Sequence, residues 1–309
     1  MREGSTPYNA YVRLTRGASV ENAWPDGAVS CGGGLIRSSS VITHRGLKFL
    51  KLGLCRALNE VYCLGAEPFL VTVDIAYPEK YSEEKLKTVM EELVDIARDE
   101  GVSLTFGALT GICADIPVIT FGALAHADEL RLKAKPEGQT ILMAGYVGDA
   151  GSSILAQELR EELSEKVHSD ILEEAAANYS FSLKALRNIH AFVKPVSEGG
   201  VLKSLWEIKE NVRVGYNISL RDMCIRQECV EVCEALDVNP YQLAGDGAAI
   251  IITDDPDSIA SQITDAGFPV NVIGQVSADL KGLFFRGLEG SYVDRPAQDE
   301  LYRFMRGVK

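Results

Sequence analysis

Between Gly46 and Leu64 the apolar residues Leu47, Leu50, Leu54 and Leu58 recur at helical spacing, and the pattern stops at Gly65-Ala66-Glu67-Pro68. The run that follows, Phe69 to Ile75 (FLVTVDI), is apolar and β-branched and predicts a strand. A helix that gives way to a strand across one tight break excludes an all-helical chain. The alternation continues downstream. Ser82 predicts the N-cap of a second helix, with Glu83 and Glu84 in its first turn. Leu86, Val89, Met90, Leu93, Ile96 and Ala97 form its apolar stripe, and Gly101 ends it. Strands are predicted over 102–106 and 117–125.

Lys133-Ala134-Lys135-Pro136-Glu137-Gly138 is a polar break and predicts a domain boundary, with one domain over 1–135 and a second over 136–309. The length of 309 residues fits two domains at roughly 150 residues each. Beyond the break, strands are predicted over 140–146, 212–218, 248–253, 270–276 and 283–286. Helices are predicted over 152–163, 169–178, 182–189, 226–236 and 256–266, and a further one opens at Glu198-Gly199-Gly200. The first 45 residues are rich in Gly, Ser and Asn and read as irregular. Strands and helices interleave in both halves, which predicts an α/β to α+β fold.

Charge narrows the function classes. Lys and Arg number 31 against 44 Asp and Glu, a net charge of −13. Such a chain is repelled by phosphate backbones and anionic lipid, so no nucleic-acid and no membrane partner is expected. No apolar run approaches the roughly 20 residues that span a bilayer. The N-terminal residues lack the apolar core of a signal peptide, and a cytoplasmic location is expected. The seven cysteines form no CxxC pair, and Cys229 and Cys233 lie one helical turn apart. Buried free thiols are the expectation. His44, His126, His168 and His190 are scattered without metal-ligand spacing.

No Walker A or GxGxxG motif occurs. Glu198-Gly199-Gly200 at a helix start reads either as a tight helix entry or as an anion site, because helix N-termini present free N–H groups and glycine admits a phosphate. Gly32-Gly33-Gly34 reads as a weaker version of the same, or as a turn. Asp26, Asn59 and Glu60 read either as hard oxygen ligands for Mg²⁺ and phosphate or as solvated and capping side chains. Asp246, in Gly245-Asp246-Gly247, reads as a turn residue.

Taken in order, these pieces resemble a known superfamily. Asn59-Glu60-Val61-Tyr62-Cys63-Leu64-Gly65-Ala66-Glu67-Pro68 resembles the Asn-Asp-(four residues)-Gly-Ala-x-Pro segment of the aminoimidazole ribonucleotide synthetase (AIR synthase) superfamily. Pro25-Asp26-Gly27-Ala28-Val29 is similar to its Asp-Asp-Ala-Ala-Val segment. Ser197-Glu198-Gly199-Gly200 resembles its Thr-Glu-Gly-Gly helix start. Ile225-Arg226-Gln227-Glu228 and the segment Cys233 to Tyr241 resemble the hydrogenase expression/formation protein E branch. The resemblance implies a two-domain AIR synthase-like fold, whose N-terminal domain forms a dimer β-barrel beside a C-terminal α+β domain. It implies ATP as ligand, bound by Asp26, Asn59, Glu60, Glu198, Gly199 and Gly200, and Mg²⁺ held by Asp26 and Glu60. Chemistry in such a site is ATP-dependent phosphoryl transfer or dehydration.

The departures from that pattern bear on activity. Ser40 and Pro195 stand where the superfamily has Asp, and Phe106-Gly107-Ala108-Leu109-Thr110 contains no acid. No cysteine follows Cys233, so the terminal thiol of the hydrogenase-maturation branch is not carried over. Mg²⁺ depends on hard ligands, and their loss predicts an altered metal site. Two functions are therefore expected: an ATP- or phosphate-ligand-binding homodimer, or a non-catalytic paralogue. The latter acts as a homo- or heterodimeric scaffold or regulator beside an intact relative.

Overall fold

The computed structural model describes residues 27–44, 46–126, 138–177, 180–279, 281–286, 289–293 and 298–305. One helix organises them. α1 (Leu47–Cys63) is buried along almost its whole length, with only Leu47 and Lys51 outside its buried set. A helix covered on every side needs partners on every side. The first is a five-stranded sheet in the order β1-β2-β5-β3-β4, built from β1 (Val29–Gly32), β2 (Leu35–Ile42), β3 (Glu67–Pro78), β4 (Ser103–Ile112) and β5 (Val118–His126). All neighbours pair antiparallel except β3 and β4, which are parallel and joined by α2 (Glu83–Glu100). β3 alternates through its middle, turning Val71, Val73 and Ile75 inward. α1 lies on this inner face against β2, β3 and β5. Gly53 permits the approach, since a Cβ there would overlap the Phe121 ring and stand 2.9 Å from Ile42 Cγ2. Ser38 Oγ donates to the Ala57 carbonyl at 2.5 Å, and Ser40 Oγ donates to that of Gly53.

The second half is a seven-stranded sheet, β12-β11-β8-β10-β6-β9-β7. Its strands are β6 (Thr140–Ala144), β7 (Phe192–Pro195), β8 (Gly215–Ser219), β9 (Ala249–Thr253), β10 (Val270–Ser277), β11 (Gly282–Arg286) and β12 (Glu289–Tyr292). β6 and β9 are central and covered on both faces, which is why they read as unbroken apolar runs. Ile141, Met143, Ile250 and Ile252 pack with Val201, Leu205 and Trp206 of α6 (Gly200–Val212). Leu142, Ile251 and Val193 pack on the opposite face with Ile259 and Ile263 of α8 (Pro256–Asp265). The remaining helices are α3 (Asp149–Glu158), α4 (Arg160–Leu163), α5 (Ser169–Ala177), α7 (Gln227–Leu236) and α9 (Leu301–Met305). α3, α5 and α7 pack together, and residues of all three share one core with α1 and the first sheet.

Several expectations need correction. The segment before Gly46 is not irregular where described: β1 and β2 form a hairpin, and Gly32-Gly33-Gly34 is its turn, each with positive φ. The weaker anion-site reading of that turn has no helix behind it. Residues 184–188 form a 3-10 turn in place of the expected helix. Cys31 and Cys113 are exposed, so the expectation of buried thiols holds for Cys55, Cys63, Cys229 and Cys233 only. Among the described residues, no helix is long and apolar enough to cross a membrane.

Candidate functional site: the junction around α1

The side of α1 that turns away from the first sheet carries polar residues into the second half. Lys48 Nζ donates to the Ser153 carbonyl at 3.0 Å, to Ser153 Oγ at 2.6 Å and to the Ala176 carbonyl. Burial pulls the Lys48 ammonium down to about 8 despite the Glu158 charge. Asn59 is used at both ends: Nδ2 donates to the Phe181 carbonyl at 2.7 Å and Oδ1 accepts from the Leu183 N–H at 2.8 Å. Arg56 grips Asp246 bidentately, Nε to Oδ1 at 2.9 Å and Nη2 to Oδ2 at 3.0 Å. Its third nitrogen stands 4.0 Å from Glu198. Glu60 meets Lys194 of β7 at 3.2 Å, and Lys194 also reaches Glu207 of α6 at 3.4 Å.

The chain turns from β7 into α6 through Gly199 and Gly200, both with φ in the left-handed region. At Gly200 a Cβ would lie 2.6 Å from the carbonyls of Tyr241 and Leu243, so no larger residue fits. The two glycine N–H groups are both engaged. Gly199 donates to Asp299 Oδ2 at 2.6 Å and Gly200 donates to the Ser197 carbonyl at 3.0 Å. Asp299 Oδ1 accepts further from Leu301 at 2.8 Å and Ala244 at 3.3 Å. The Asp299 carboxylate thus sits as an anion at the start of α6. Burial first, then the Glu198 charge, push this carboxyl up to about 7, against the pull of the Gly199 and Leu301 N–H groups and of Arg56. Burial likewise holds Asp246 above the usual carboxylate range even with Arg56 beside it. Tyr302 donates to Glu198 Oε2 at 3.3 Å.

Asn59, Glu60, Glu198, Gly199 and Gly200 therefore converge on one junction between the two sheets. Asp26 lies outside the described residues. The residues that sequence reasoning missed are Arg56, Lys194, Glu207 and Asp299, and Asp246 does more than make a turn. Arg56 shares its helix with Lys48, Lys51, Asn59 and Glu60, so a lone cation in the pattern could not single it out.

The donor set fits an anion better than a hydrated divalent ion. An oxyanion is already held at the Gly199 turn by backbone N–H groups, and that oxyanion is the chain's own. Mg²⁺ needs hard oxygens at about 2.0–2.1 Å in near-octahedral array. Here Glu60 and Glu207 converge on the Lys194 ammonium and Asp246 on the Arg56 guanidinium. Among the described residues, no group of three or more His, Cys, Asp or Glu side chains is placed to hold a metal ion.

Comparison with known proteins agrees with this architecture. Residues 42–127 match the AIR synthase related protein N-terminal domain family. A putative hydrogenase expression/formation protein of Methanocaldococcus jannaschii is 21% identical over 267 residues, covering 82% of this chain and 78% of that protein. Carbamoyl dehydratase HypE of Escherichia coli (strain K12) is 25% identical over 254 residues, covering 78% of this chain and 73% of that protein. Among solved structures, a HypE–HypF complex covers 94% of this chain and 100% of the matched chain, with TM-score 0.74 and 19% identity. HypE in complex with ATP covers 94% and 93%, with TM-score 0.70 and 19% identity. The matched domain and the two-sheet fold are similar to those of the AIR synthase-related superfamily, near its hydrogenase expression/formation protein E branch.

Proposed function

We propose that this chain is a hydrogenase maturation factor-like protein that binds ATP or another phosphorylated ligand at the junction around α1. The observation that supports this most is the convergence there of Asn59, Glu60, Glu198, Gly199 and Gly200, contributed by both halves of the chain, in a fold that matches a HypE structure with ATP. In this reading Glu198 and the Gly199-Gly200 turn face the phosphate end, and Asn59, Glu60 and Asp26 belong to the same ligand region. Phosphate reaches the turn by displacing the Asp299 carboxylate, which occupies the Gly199 N–H. ATP, when bound, would supply an activated phosphoryl group. The domains divide near 135/136, and a cytoplasmic location goes with this reading.

A homodimer accompanies it, formed through the first sheet and closing a barrel with a second copy. Among the described residues β4 is an edge strand of that sheet, and the sheet's outer face carries the exposed Val41 and Phe69. Between α2 and β4 a groove of about 630 Å³ is floored by Leu86, Met90, Val94, Phe106 and Leu109. It shares no residue with the junction. A second reading is a non-catalytic scaffold or regulator, as homodimer or heterodimer with an intact relative. What favours it is that every expected ligand group described at the junction is engaged by the chain itself. HypE in the HypE–HypF structure works with a partner chain, and a protein partner is a natural extension here.

Calorimetric titration of the purified chain with a non-hydrolysable ATP analogue separates the two readings. Micromolar affinity, weakened by replacing Glu198, supports the nucleotide site. No heat at millimolar analogue would leave the scaffold reading standing and turn the search to protein partners.

A further inference from the structure

We propose that the junction is a built-in cation clamp, in which Lys194 and Arg56 take the charge-neutralising place of a divalent ion, so that any nucleotide it binds is bound free of metal. The inference rests on the nucleotide reading only in its last clause. Lys194 Nζ stands between carboxylates from two helices, Glu60 of α1 at 3.2 Å and Glu207 of α6 at 3.4 Å, and is 3% exposed. Lys203 adds a second ammonium 3.7 Å from Glu207. Arg56 spans Asp246 bidentately and faces Glu198 across 4.0 Å. A divalent ion bridging the two halves would do the same electrostatic work: gather carboxylates from separate elements around one positive centre. It has no room to do so while the ammonium and guanidinium groups stay. Displacing either one from a buried site costs more than a metal ion with few remaining ligands returns, because Mg²⁺ gives up its water reluctantly.

The test uses Mn²⁺ as the probe, because free Mn²⁺ has an electron paramagnetic resonance signal that binding suppresses. The wild-type chain is expected to leave the signal unchanged in a way that Glu60→Gln does not alter. Lys194→Met removes the ammonium that Glu60 and Glu207 share and is expected to gain saturable Mn²⁺ binding, lost again in the K194M/E60Q double variant. Should K194M fail to fold, the wild-type and E60Q titrations still decide. Saturable Mn²⁺ binding by wild type that E60Q abolishes overturns the proposal. In parallel, the affinity for the ATP analogue is expected to stay within about twofold between EDTA and Mg²⁺, and a loss of about tenfold or more in EDTA also overturns it. If the analogue binds under neither condition, the nucleotide reading fails by itself, and the Mn²⁺ titrations judge the clamp.

Discussion

Removing Arg56 is the sharpest test of how the two halves hold together. Arg56 and Asp246 are both nearly excluded from water, and their two hydrogen bonds of 2.9 and 3.0 Å are the bidentate kind that gives Arg its advantage over Lys. Replacing Arg56 by Met keeps most of the volume but leaves Asp246 buried without the guanidinium that grips it. Breaking one side of such a pair costs about 3–5 kcal/mol. A domain's whole stability is about 5–15 kcal/mol, so this is a large fraction. Asp246→Asn is milder, because the amide oxygen still accepts one guanidinium bond. The double variant R56M/D246N is expected to be more stable than the sum of the single losses predicts, by about 0.5–3 kcal/mol. The pH dependence has a definite sign. Asp246 already titrates above its ordinary value in the folded chain, and without Arg56 it does so more strongly. A carboxyl raised by folding favours the folded state at low pH and loses that contribution as pH rises through its folded value. The deficit of R56M against wild type should therefore grow from pH 5 to pH 8. Urea denaturation of the four proteins at both pH values measures all of this. A single-variant loss below about 1 kcal/mol, with strict additivity, would refute the claim that the pair fastens the junction.

Asp299→Asn should flatten a second pH dependence. With the folded carboxyl at about 7 against an ordinary value of 3.8, wild type loses stability relative to the neutral variant as pH rises through that window, and chemical denaturation of both proteins between pH 5 and 8 reads the part of it in that range, roughly 2.5 kcal/mol. An unchanged difference across that range counts against the buried position of Asp299. Gly53→Ala gains up to about 1 kcal/mol of helix propensity but forces a methyl into the Phe121 ring, an overpacking cost of about 1–3 kcal/mol. The net effect should be a lower melting temperature, and a raised one would show that the sheet can step back from α1.

Local signals were legible where local forces decide. α2 follows its sequence almost to the residue: the Ser82 side chain accepts from the Lys85 N–H, and Gly101 closes the helix in the left-handed region. The central strands β6 and β9 were legible because burial on both faces selects Ile, Leu, Met and Ala throughout. β2 was not, since Ser38-Ser39-Ser40 has little strand propensity. Ser38 and Ser40 are set by the need for short side chains under α1, a tertiary demand. β7 is only four residues long and contains Lys and Pro, so no periodicity could mark it. At the junction, the Gly199-Gly200 turn and the Asn59-Glu60 pair stood out by resemblance. Arg56, Lys194 and Asp299 did not, because their partners lie 190, 134 and 100 positions away along the chain. Pairings at that separation exist only once the fold has brought them together.

The order of synthesis gives the polar side of α1 a history. The first sheet and its helix leave the ribosome long before Asp246 does. At about 5–20 residues per second, the 190 positions from Arg56 to Asp246 take roughly ten to forty seconds to make. The partners of this face arrive one after another, Ser153 and Ala176 for Lys48, Phe181 and Leu183 for Asn59, Lys194 for Glu60, and Asp246 for Arg56 last of all. Asp299 can dock on Gly199 only after a further 100 residues have been made. The amino-terminal half is thus an unfinished article when it emerges. It cannot be cut out and exchanged as a cassette without carrying its unanswered charges along.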